Sequence, residues 1–79
     1  MSRRILRMHD IVRVLKALGF QLVRRSGSHL IFKHGTSGLL ITLPETDDVR
    51  PVYIRNIERQ VARFNIASEE KIHEMLYGR

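Results

Sequence analysis

The chain has 79 residues and no cysteine, so it is one domain near the lower size limit for unassisted folding, and disulfides and thiolate metal sites are excluded. Its formal charge of +6 is lopsided: residues 1–44 carry eight Lys/Arg against Asp10 alone, whereas residues 45–79 carry six against seven acids. Arginine supplies 11 of the 14 basic side chains, and its planar fork pairs bidentately with phosphate, so the simplest partner is nucleic acid and the alternative is a solubilising surface. No apolar run approaches the roughly 20 residues of a membrane span. The basic leader, residues 1–7, lacks the apolar stretch of a signal peptide. A cytoplasmic protein without membrane association is expected.

In residues 8–18, Met8, Ile11, Val12, Leu15 and Leu18 recur at helical spacing, with Arg13 and Lys16 between them and Gly19 as a stop. Residues 20–24 alternate and read as a strand. Ser26-Gly27-Ser28 is a turn, residues 29–33 a second strand, His34 to Gly38 a longer loop, and residues 39–43 a third strand ended by Pro44. Short connections make this an antiparallel meander. An acidic loop follows with Glu45, Asp47 and Asp48.

Pro51 then opens a helix running to about residue 64. Ile54, Ile57, Val61 and Phe64 form its apolar stripe, and Arg55, Arg59 and Arg63 project from the opposite side. Ser68 caps a last helix within residues 67–77, with Glu69 and Glu70 in its first turn. The expected fold is α+β, in the order α-β-β-β-α-α, with helices covering one face of a three-stranded antiparallel sheet. Residues 1–7 read as an extension, 8–64 as the central unit and 67–77 as the C-terminal helix. Ile11, Leu15, Leu22, Phe32, Ile41, Ile57 and Val61 are expected to form one core.

Three segments are similar to a known family: Gly19-Phe20, the turn and strand Gly27-Ser28-His29-x-Ile31-Phe32-Lys33-His34, and the helix entry Arg50-Pro51-x-x-Ile54-Arg55-x-Ile57. In colinear order over residues 8–64 they resemble HicA, the small toxins of HicA–HicB toxin–antitoxin pairs. The resemblance implies a double-stranded-RNA-binding-domain-like fold and an mRNA-cleaving endoribonuclease activity that blocks translation. It also implies a HicB-like antitoxin partner and the Gly-Ser-His histidine, here His29, as the catalytic residue. Leu30 stands where the family often has a second histidine, the loop of Glu45, Asp47 and Asp48 where it is commonly basic, and Val52-Tyr53 where Gly-Thr is usual.

The residues themselves allow this chemistry. RNA is cut without metal when its 2′-hydroxyl attacks the adjacent phosphorus, and imidazole, with an ordinary pKa near 6.5, moves protons near neutral pH. If Leu30 and Phe32 face the helices, the strand period puts His29, Ile31 and Lys33 on the open face. Arg24 or Arg25 would lie across the hairpin, and Gly27 permits a positive φ at the turn. Expected RNA contacts are Arg24, Arg25, Gly27, Ser28, Lys33 and the stripe Arg55, Arg59 and Arg63. The alternative for His29 is a strand-end residue hydrogen-bonded to backbone, and for the stripe a solvated helix face. His34, an odd five residues on, falls on the opposite strand face. No paired histidine spacing suggests zinc, and neither metal nor cofactor is expected. Beside the ribonuclease, a non-catalytic RNA-binding module on the same scaffold and a protein-interaction domain remain open.

Overall fold

The computed structural model describes residues 5–78, and its elements follow the expected order. They are α1 (Met8–Ala17), β1 (Phe20–Ser26), β2 (His29–His34), β3 (Leu40–Pro44), α2 (Pro51–Arg63) and α3 (Glu69–Tyr77). The strands form an antiparallel sheet in the order β1-β2-β3. Leu30 and Phe32 of β2 are buried, as are their cross-strand neighbours Leu43 and Ile41 on β3. Cross-strand partners share a face, so these four define the side packed by Ile11, Val14 and Leu15 of α1, Ile54, Ile57 and Val61 of α2, and Ile72 and Leu76 of α3. This is the α+β, double-stranded-RNA-binding-domain-like arrangement.

Local chemistry explains the element ends. The Asp10 carboxylate accepts the Arg7 backbone N–H at 3.0 Å, satisfying a donor at the start of α1. Pro51 occupies the first turn of α2, where its missing N–H costs nothing. Ser68 Oγ accepts the Lys71 N–H at 3.0 Å and caps α3. Between α1 and β1, Gly19 has φ +100°, and a Cβ there would come within 3.3 Å of His34 Nε2.

Four expectations are corrected. Leu22 lies opposite Phe32 yet is 45% exposed, because β1 is an edge strand and the helices cover only its Phe20 end. Phe64 is 44% exposed, since it falls past the last turn of α2 as its C-cap. On α1, Val14, outside the expected stripe, is buried with Ile11 and Leu15, while Val12 packs partly buried against the core. Leu6, in the stretch read as an extension, is 1% exposed. Its carbonyl accepts the Val49 N–H at 2.9 Å, and Met8 N–H donates to the Asp47 carbonyl at 3.0 Å, so this segment pairs with the loop before α2. Arg3 and Arg4 of the basic leader lie outside the described residues.

The β1–β2 ladder carries one irregularity. Leu22 pairs with Phe32, but Arg24 pairs with Ile31, leaving Val23 as an extra residue in a β-bulge. Beyond it, Arg24 shares a face with Ile31, and Arg25 with Leu30.

Candidate active site

The two residues Gly27 and Ser28 connect Ser26 to its cross-strand partner His29. Gly27 has φ +60°, as the first central position of a type II′ turn requires. A Cβ built on Gly27 meets nothing within 4 Å, so the turn is open on that side. His29 thus begins β2 on the face opposite Leu30 and Phe32, together with Ile31 and Lys33. Its cross-strand neighbours are Ser26 on one side and Pro44 on the other, both too short to cover an imidazole. The side chain is exposed and has no hydrogen-bond or ion-pair partner among the described residues.

The other three histidines are engaged. His34 Nε2 donates to the Leu18 carbonyl at 3.0 Å, and Nδ1 accepts the Ser37 backbone N–H at 3.1 Å. A carbonyl only accepts and a backbone N–H only donates, so this network places the ring proton on Nε2. With its ring 5.0 Å from that of Phe20, His34 rivets the end of α1 to β2. His73 Nδ1 lies 2.7 Å from Glu58 Oε2, joining α3 to α2 rather than standing free in solvent. His9 Nε2 is 3.5 Å from the Asp10 carboxylate.

Of the expected phosphate contacts, Arg24 is brought to His29. It is diagonal to His29 across the β1–β2 ladder, at about 7–8 Å between backbones. Lys33 shares the face but lies four residues along the strand, roughly 13 Å away. Arg25 is not brought there: it points with Leu30 and is ion-paired to Glu45. That pairing was missed in the sequence, where the signal was an acid directly after the strand-ending Pro44. Arg55, Arg59 and Arg63 are exposed along α2 and make no ion pair among the described residues. No cluster of three or more His, Cys, Asp or Glu side chains among these residues could hold a metal ion.

Residues 8–62 match the family model described as the HicA toxin of bacterial toxin–antitoxin systems. The chain belongs to the HicA toxin family. Membership assigns a HicA toxin the toxin side of a toxin–antitoxin pair. The match includes α1, the sheet, His29 and most of α2. It leaves out Leu6 and α3, although both contribute buried side chains to the core of this HicA chain. No curated protein and no solved structure matches the chain. No helix among the described residues is long and apolar enough to cross a membrane.

Proposed function

We propose that the chain is a metal-independent endoribonuclease that cleaves mRNA in the cytoplasm, inhibits translation, and is held in check by a HicB-like antitoxin covering the open sheet face. The observation that carries this reading is His29: an exposed histidine without a partner among the described residues, on an open face diagonal to an arginine. Its imidazole takes the proton of the RNA 2′-hydroxyl as that oxygen bonds to phosphorus. The bond from phosphorus to the 5′-oxygen breaks, and the imidazolium returns a proton to the departing oxygen. Arg24 stabilises the charge on the phosphorane, and Lys33, further along the same face, holds a neighbouring phosphate. Gly27 and Ser28 keep the turn low so that the RNA backbone can approach. RNA supplies its own nucleophile, so no metal-activated water is needed. Arg55, Arg59 and Arg63, which project from the side of α2 away from the sheet and have no ion pair among the described residues, offer phosphates a second surface on the far side of the domain from His29.

The antitoxin-free protein is therefore expected to cut single-stranded RNA in EDTA, leaving 2′,3′-cyclic phosphate ends detectable by mass spectrometry. RNA that is bound but never cut would instead establish the non-catalytic binding module, which the exposed arginine stripe serves equally well.

The stripe has its own test. Replacing Arg55, Arg59 and Arg63 together with Gln should weaken RNA binding and flatten its salt dependence. Each lost phosphate contact lowers the log–log slope by roughly 0.7 on single strands and 0.9 on duplex. An unchanged slope would make the stripe a solvated face.

A further inference from the structure

The loop after β3 brings a carboxylate to Arg25, which faces away from His29 but is exposed one residue before the turn's flank, within reach of an RNA strand that bends over the hairpin tip. Glu45 is held there twice. Its backbone N–H donates to the Ser28 carbonyl at 2.7 Å, and its carboxylate pairs with the Arg25 guanidinium. Because Pro44 pairs with His29, the next residue necessarily arrives beside the turn that carries the histidine. We propose that Glu45 sets the RNA affinity of this site by acting as an internal substitute for a phosphate on Arg25. The inference rests on the RNA-cleaving reading above.

The chemistry favours an exchangeable contact over a permanent one. The Arg25 and Glu45 side chains are 54% and 44% exposed, and ion pairs of that exposure contribute only about 0.2–1 kcal/mol. An RNA phosphate, offering the same bidentate acceptor geometry with a polyanion behind it, can displace the carboxylate. Displacement leaves Glu45 near the bound strand as an unpaired like charge. Arg25 thus adds little net affinity in the native chain. The backbone bond to Ser28 does not depend on the carboxylate, so Glu45→Gln frees Arg25 while the loop stays anchored.

The test measures binding of a 2′-O-methyl RNA oligonucleotide, which cannot be cut because its nucleophile is blocked, across a salt series. Glu45→Gln should bind about 1.4- to 5-fold more tightly, the conversion of the ion-pair range above. Its log–log slope should be steeper by up to roughly 0.7, the worth of one phosphate contact no longer offset by the Glu45 charge. The double variant Glu45→Gln/Arg25→Gln should return to the wild-type slope. Asp47→Asn removes an equal charge from the same loop, without a contact to Arg25, and should leave the slope unchanged. An unchanged slope in Glu45→Gln, an equal gain in Asp47→Asn, or a gain that survives in the double variant would overturn the role of Glu45 alone. Absence of RNA binding by the wild type and every variant would overturn it together with the RNA reading.

Discussion

His29→Ala is expected to reduce RNA cleavage by about 100- to 10,000-fold, the usual consequence of removing a general acid–base group. Growth inhibition on expression should disappear with it. The fold should survive, because the side chain is exposed, has no hydrogen-bond partner among the described residues, and has only Ser26 and Pro44 beside it on the sheet. Substitutions in such surroundings change stability by about 0.5 kcal/mol or less, so lost activity would not reflect unfolding. RNA binding should persist through Arg24, Lys33 and the arginines of α2. Circular dichroism, a binding isotherm and a cleavage time course on antitoxin-free protein separate these effects. Equal cleavage by the variant and the wild type would remove His29 from the mechanism.

The largest expected effect on stability belongs to Phe32→Ala. Phe32 sits on the central strand between Leu22 and Ile41, is 1% exposed and meets the helix layer on the inner face. Truncating a buried phenylalanine costs about 3–5 kcal/mol in transfer and cavity terms. A domain of this length has roughly 4–12 kcal/mol in total, so the variant should lose between about a quarter and all of its stability. Leu22→Ala, directly across the ladder, should cost about 1 kcal/mol or less. Urea titrations of the two variants would reveal the contrast, and equal losses would contradict the edge position of Leu22.

That contrast also marks what was legible in the sequence. Helical and strand periodicities located α1, the meander and α2, because Ile11, Leu15, Phe32, Ile41, Ile57 and Val61 each repeat at the spacing of the face they bury. Pro51, Ser68 and Gly27 announced their roles through backbone chemistry that depends on nearest neighbours alone. Leu22 follows the same alternation as Phe20, yet periodicity records only which side a residue faces, not whether the opposing layer reaches it. Leu6 was obscured by the arginines around it, and its burial depends on a pairing with Val49 over forty positions away. For the candidate site, the exposure of His29 followed from the strand period and the turn. The grip of Glu45 on Arg25 did not, because it needs the three-dimensional closeness of the hairpin tip and the end of β3.

Taking up the extra residue in β1, and not in the turn, decides which arginine of the adjacent pair attends the histidine. A straight ladder running on from Leu22 and Phe32 would set Arg25 directly opposite His29 and turn Arg24 toward the helices. With Val23 inserted, the two exchange places, and the acid beyond β3 meets Arg25 instead of Arg24. Deleting Val23 would straighten the ladder and leave both arginines in place, because the two-residue turn holds Ser26 opposite His29 and hence Arg25 opposite Leu30; only taking up the extra residue in the turn instead of the strand would exchange them. Which arginine lies on the histidine's face is thus decided by where the extra residue is absorbed, in the strand or in the turn, a difference that residue-by-residue comparison does not register.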